Sequence, residues 1–301
     1  MPTASRAHGA MLVYAALIST SFPVGAAITH DLDPIVLTFL RFVVASMAFG
    51  AVVLAAGGCA RPAPRDLLRY AVISLTMVVY FVTMFEGLRW MDPLSGGAMF
   101  TLVPLVAAGV TFLVNRQRCS PAQLACLVLG AAGAVWVLFD GRVDRLLAFS
   151  LGRGEAIFAV GCLAFACYAP AVRRLAGGES IMVLTFWTIV AGAVLLGIYT
   201  APRLVATDWA AIPARAWLGI AYLAVFNTAG TFYLAKTASM ALPGFKVMAY
   251  TYLTPAFVAL LEGALGHGWP VWSVVVGIAV TGAATVLLQR IEVAEKVATV
   301  P

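Results

Sequence analysis

The chain has 301 residues, of which 62% are hydrophobic and 11% charged, with a formal net charge of +6. A water-soluble domain carries about 25% charged residues, so this sequence has too few polar side chains to cover a water-facing surface. The basic residues lie in short loops, a pattern set by anionic lipid and membrane topology and not by nucleic acid.

A helix needs roughly 20 apolar residues to cross the ~30 Å hydrocarbon layer. Ten such runs are predicted, at 8–29, 34–57, 68–88, 93–114, 121–139, 154–173, 180–201, 214–237, 242–265 and 269–289. The first is long and is followed at once by further spans, so it reads as a retained helix and not as a cleaved signal. It carries Ser19-Thr20-Ser21 ahead of Phe22-Pro23. The second contains Arg41. The third places Tyr80, Thr83, Met84 and Gly87 on one face, with Glu86 near its outer end. The fourth offers Ser95, Met99, Phe100 and Pro104, and the fifth the small residues Gly130 and Gly133. The polar stretch from Asp140 to Arg153 follows and reads as a linker, 141–153. The sixth run has Phe165 and Tyr168 before Pro170. The eighth sets Asn227 and Thr231 on one face. The ninth has Lys246 and Tyr250 one turn apart, then Pro255 and Glu262. The tenth repeats the small-residue pattern with Gly277 and Gly282.

The chain is duplicated. Val36-Leu37-Thr38-Phe39 recurs 147 positions later as Val183-Leu184-Thr185-Phe186, Pro23 recurs as Pro170, and Leu102-Val103-Pro104 as Leu253-Thr254-Pro255. The units are 1–140 and 154–301. With the N-terminus inside, the cytoplasmic segments hold Arg6, Arg61, Arg65, Arg69, Arg116, Arg118, Arg173, Arg174, Lys236, Arg290 and Lys296. The outer segments hold the smaller set Arg89, Arg142, Arg145, Arg153, Arg203 and Arg215. The bias places both termini in the cytoplasm. Five helices per copy is an odd number, so the second copy crosses the membrane upside down. The expected fold is all-α and integral to the membrane: ten helices in two inverted five-helix repeats around a central cavity.

Buried polar groups need partners, and Asn227 is the sharpest polar signal, read either as a ligand contact or as glue between helices. Serine and threonine hydroxyls divide between a site and their own helix backbone. Lys246 either snorkels to the cytoplasm or contacts a carboxylate. Glu262 and Glu86 are candidates for carrying a proton or pairing with a cation. The prolines 23, 104, 170 and 255 read as bends that shape the cavity. The five cysteines read as small apolar residues, and the isolated histidines suggest no metal site. No P-loop occurs, and no cluster of catalytic residue types stands at sensible spacing. The chain therefore reads as a non-enzyme without a cofactor.

Arg41-Phe42-x-x-Ala45, Gly87-Leu88-Arg89 and the Leu-x-Pro motifs at Pro104 and Pro255 resemble elements of the drug/metabolite transporter superfamily, EamA type. The resemblance spans about residues 10 to 290, and the order of the motifs within a duplication carries it. Within that superfamily the chain looks most like the YddG-type exporters of aromatic and other amino acids. The resemblance implies a multi-pass protein of the bacterial cytoplasmic membrane that exports amino acids or similar small metabolites by alternating access. The alternative it leaves open is export of other metabolites or drugs by proton antiport. Substrate contacts would come from Tyr80, Met84, Phe100, Tyr168, Asn227, Thr231, Lys246 and Tyr250, with Arg41 in a structural or gating role. Partners would be a small-molecule substrate and the lipid bilayer, with no nucleic acid and no obligatory protein partner. Helix 1 lacks the carboxylate that small multidrug relatives use, which favours facilitated movement over antiport. Asn115 and Gly266-His267 stand where many members have a glutamate.

Overall fold

The computed structural model describes residues 4–28, 31–58, 61–87, 89–91, 96, 99–149, 151–264, 266 and 269–291, without the side chains at 22, 23, 26, 27 and 262. Leu88, Ser95 and His267, and the side chains of Pro23 and Glu262, lie outside the described residues. The helices in order are α1 (Ala4–Ile28), α2 (Pro34–Ala55), α3 (Pro64–Gly87), α4 (Val103–Asn115), α5 (Pro121–Leu138), the short α6 (Val143–Leu147), α7 (Arg153–Leu175) and α8 (Ile181–Ala206). After a 3-10 turn (Trp209–Ala211), α9 (Ala214–Ala224) passes through a π-helical segment (Val225–Gly230) into α10 (Thr231–Ala241). Then α11 (Gly244–Ala249) passes through a 3-10 segment (Tyr250–Leu253) into α12 (Thr254–Ala264), and α13 (Trp272–Arg290) closes the set. Among the described residues there is no strand, and eight helical stretches are long and apolar enough to cross a membrane.

Local chemistry starts and stops these helices. Asp33 caps α2 by accepting from the Ile35 and Val36 amides at 2.9 and 3.3 Å, with Pro34 at the first helical position. Ser120 and Gln123 form a reciprocal capping box ahead of α5, and Ser180 caps α8. Such caps satisfy amides that the first helical turn leaves without partners. Helix α2 runs out into Gly57 and Gly58, whose positive φ of 101° and 76° suits a residue without Cβ.

Burial is inverted relative to a soluble protein. Leu54, Leu113, Ile198 and Leu218 are each more than 70% exposed, whereas Arg41, Asn227 and Lys236 are buried. Apolar side chains outside and polar ones inside is the arrangement a bilayer rewards.

Most helix contacts join the first half of the chain to the second. Helix α3 lies along α7 and α8, while α1 lies along α10 and α12. Helix α2 packs on α8 and on α9 with its π segment; α4 packs on α7 and α11; α5 packs on α13. Glycines allow the last contact. A Cβ on Gly133 would stand 2.5 Å from Thr281 Oγ1, and one on Gly277 would stand 2.8 Å from Val137 Cγ2. Gly130 is instead covered by the Tyr252 ring of the 3-10 segment and Gly282 faces open space, so two of the four expected glycines, Gly133 and Gly277, serve this packing.

The prolines divide into two kinds. Pro170 lies inside α7, and residue 23 lies inside α1. Pro104 and Pro255 instead fall at the starts of α4 and α12, directly after a turn at 101–102 and the 3-10 segment. There the missing amide costs no helical hydrogen bond. These two therefore mark breaks between helical pieces and not kinks within one helix. The stretch expected to be a linker, 141–153, contains α6 and paired surface charges. The Arg142 guanidinium, 2.6 Å from Asp144, holds that carboxyl below the usual carboxylate range.

Candidate functional site

The centre of the molecule is a belt of aromatic rings from five helical segments. Tyr80 on α3 stands 4.6 Å from Phe165, 5.1 Å from Phe81, 5.8 Å from Phe100 and 6.0 Å from Phe158, measured between ring centroids. Phe42 on α2 meets Phe81 and Phe232 edge-on at 6.1 and 5.7 Å, and Tyr168 on α7 reaches Phe232 at 5.9 Å. Edge-to-face and offset pairs at these spacings add about 0.5–1.5 kcal/mol each beyond their buried area. All of these rings except Phe81 are buried.

Two cations sit against this belt. Arg41 is 2% exposed; its Nη2 donates to Thr228 Oγ1 at 3.3 Å and its guanidinium lies 4.8 Å over the Phe81 ring. Its Nε has no hydrogen-bond partner. Lys236 on α10 is 0% exposed; its Nζ donates to the Tyr168 hydroxyl at 2.9 Å and lies 5.2 and 5.0 Å over the Tyr168 and Phe232 rings. A cation over a desolvated ring gains roughly 2 kcal/mol, comparable with the ~2.5–3.5 kcal/mol that a charge costs on insertion at mid-membrane. The rings thus hold the cations in place without cancelling their charge. Among the described residues neither Arg41 nor Lys236 forms an ion pair.

A polar cluster adjoins Arg41. Within the π segment Asn227 Nδ2 donates to Thr20 Oγ1 at 3.4 Å, and Thr20 also shares a 2.7 Å hydrogen bond with the Tyr222 hydroxyl. Asn227 is 2% exposed and its Oδ1 has no partner. The wider π turn offsets the register of backbone bonds, and π segments often mark functional positions. Here it places Asn227 and Thr228 side by side, one toward α1 and the other toward α2.

The expected site residues therefore separate. Tyr80, Phe100, Tyr168 and Arg41 come together in the belt. Met84 packs between that core and a second apolar cluster toward α9. Thr231 lies next to the polar cluster, but its hydroxyl donates to the Asn227 carbonyl at 2.8 Å, and Thr83 likewise bonds its own helix at Val79. Lys246 is buried away from the belt: its ammonium donates to the carbonyls of Gln289 and Ile291 at 3.0 and 2.7 Å, at the end of α13. Tyr250 is paired with His8 at 2.8 Å. Glu86 forms a 3.3 Å ion pair with Arg89 near the end of α3.

Lys236 corrects the sequence reading, which assigned it to a cytoplasmic segment. Helix α10 continues to Ala241 and stops only before Pro243, so Lys236 lies inside the helix. The spacing Thr228, Phe232, Lys236 repeats every four residues and puts all three on one face. That periodicity and the late proline are the signals that locate it. Phe232, Phe42 and Thr228 do not stand out as site candidates in the sequence for a different reason: apolar or backbone-bonding residue types do not announce a site.

The EamA-like transporter family matches residues 6–139 and 152–290 of the chain. The chain is 21% identical over 212 residues to "Uncharacterized transporter YyaM" of Bacillus subtilis (strain 168), covering 70% of each sequence. A crystal structure with 20% identity has the same fold, with a TM-score of 0.77 over 95% of this chain and 98% of that one.

Proposed function

Since the chain belongs to the EamA-like transporter family, we propose that it carries small organic metabolites across the bacterial cytoplasmic membrane by alternating access at the aromatic and polar centre. Amino acids with apolar or aromatic side chains, and related metabolites, are the expected cargo, and export is the expected direction. The two halves, 1–140 and 154–301, are inverted five-helix repeats with both termini in the cytoplasm.

The observation that carries this reading is the pattern of packing. Exchanging the halves converts α3 on α7 into α10 on α1, α3 on α8 into α9 and its π segment on α2, and α4 on α7 into α12 on α1. The pairs α2 with α8, α5 with α13 and α4 with α11 map onto themselves. Two halves that present equivalent surfaces to each other have two equivalent ways of rocking, one open to each side. The belt and the polar cluster lie between them. Rings with a few placed hydrogen-bonding groups suit a small, partly apolar cargo.

Purified protein in liposomes, loaded with amino acids and related metabolites one at a time, tests this by initial flux. Saturable flux of at least one compound is expected. Folded, correctly inserted protein that moves none of them overturns the reading.

A further inference from the structure

We propose that the cargo is an organic anion, whose carboxylate is bound at the belt by the Lys236 ammonium with the Arg41 guanidinium as the second positive group. This rests on the carrier reading above and, within its small metabolites, shifts the preferred cargo from amino acids to acids without an amine.

Charge balance is the starting point. Described carboxylates are engaged at helix ends and loops: Asp31 with Arg215, Asp33 with Arg89 and Arg203, Asp66 and Glu179 with Arg69, Glu86 with Arg89, Asp140 with Arg145 and Asp144 with Arg142. Glu155 and Asp208 accept from nearby backbone amides. Among the described residues the two belt cations have hydroxyls and ring faces as neighbours and no carboxylate within ion-pair distance. Lys246, by contrast, is met by the Gln289 and Ile291 carbonyls. Arg41 keeps an unpartnered Nε although it is almost fully buried.

Geometry gives the two cations one shared surface. Thr228, which anchors Arg41, and Lys236 lie on the same face eight residues apart, with Phe232 between them. At 1.5 Å per residue that is about 12 Å along the helix. Phe232 lies under Lys236 and also meets Phe42, which meets Phe81 under Arg41. These groups are packed together as observed, so it is when the two halves part that a molecule lying along Phe232 meets apolar ring surface flanked by positive charge. Asn227 adds a free acceptor beside Thr228 for a neutral donor such as a hydroxyl, without changing the balance of charge. A free ammonium group on the cargo meets repulsion from both cations, so acids without an amine fit better than amino acids, and amines fit worst.

The test compares three probes of one shape in proteoliposomes: phenylpyruvate (anion), phenylalanine (zwitterion) and phenylethylamine (cation). Expected is protein-dependent efflux of phenylpyruvate, at least tenfold faster than of phenylethylamine and faster than of phenylalanine. Lys236→Met is expected to slow phenylpyruvate by about 10- to 100-fold, the loss of one bond to a charged group, with Lys236→Arg recovering part of it. Movement of phenylalanine or phenylethylamine as fast as phenylpyruvate, or faster, overturns the anion assignment and leaves the carrier reading standing. So does full phenylpyruvate flux in folded Lys236→Met. Movement of none of the three probes, with another neutral or cationic metabolite carried, overturns it too. Absence of flux for every compound overturns both. The comparison of probes on the unaltered protein stands even if the variant fails to fold.

Discussion

Replacing Lys246 by Met separates a structural lysine from a cargo-binding one. The ammonium accepts no substrate role in its observed position, because it donates to two carbonyls at the end of α13, Gln289 at 3.0 Å and Ile291 at 2.7 Å. Those carbonyls belong to the last turn, where a helix has no internal donors left, and a cation there also meets the negative end of the helix dipole. A hydrogen bond to a charged group contributes about 1.5–3 kcal/mol. Ile291 keeps a weak second donor, Gln123 Nε2 at 3.4 Å, and the Gln289 side chain still donates to the Lys246 carbonyl at 3.0 Å. The net loss is therefore about 2–4 kcal/mol and not the sum of two full bonds. Thermal unfolding in detergent is expected to shift down by several degrees, while flux per folded molecule and the half-saturating cargo concentration stay unchanged. Lys246→Arg, which keeps charge and donors, should recover most of the stability. An unchanged unfolding midpoint with a tenfold rise in the half-saturating concentration refutes this reasoning and returns Lys246 to the site.

Asn227→Ala removes the amide beside Thr20 and is expected to cut flux at least tenfold at normal membrane abundance; wild-type flux would move the polar centre elsewhere. Gly133→Ala drives a methyl to 2.5 Å from Thr281 Oγ1 and 3.0 Å from the Thr281 amide, an overpacking that costs about 1–3 kcal/mol, read as a lower unfolding midpoint. The same change at Gly282, which faces open space, should be neutral, and equal effects at both positions would contradict the observed helix contact. Tyr252→Phe removes a buried hydroxyl that donates to the Leu127 carbonyl at 3.0 Å and should lower stability by about 1 kcal/mol with flux intact; lost flux would place this contact in the transport cycle.

Much of the architecture was legible in the chain because its causes are local. Among the described residues eight of the ten apolar runs of about 20 residues form helices long and apolar enough to cross a membrane. Asp33-Pro34, Ser120-Pro121 and Ser180 announce helix starts through bonds that reach only two or three residues. Tyr80 was identifiable as a candidate from its place on a helix face, and Phe165 and Tyr168 from their places before Pro170. The duplication was readable as repeated letters, and the family matches both repeated stretches.

What only the tertiary structure decided is which polar groups meet one another. Lys236 and Lys246 are the same residue type ten positions apart. One rests on rings from α7 and α10, and the other on the end of α13. Their roles differ because their partners, Tyr168 and Gln289, come from distant parts of the chain, and hydropathy carries no record of such contacts. Likewise Thr231 and Arg41 both looked polar within a span, yet the threonine satisfies itself on its own helix while the arginine requires Thr228 and Phe81 from elsewhere. A short side chain can close its hydrogen bond locally; a long buried cation cannot, and so its meaning is fixed only when the helices pack.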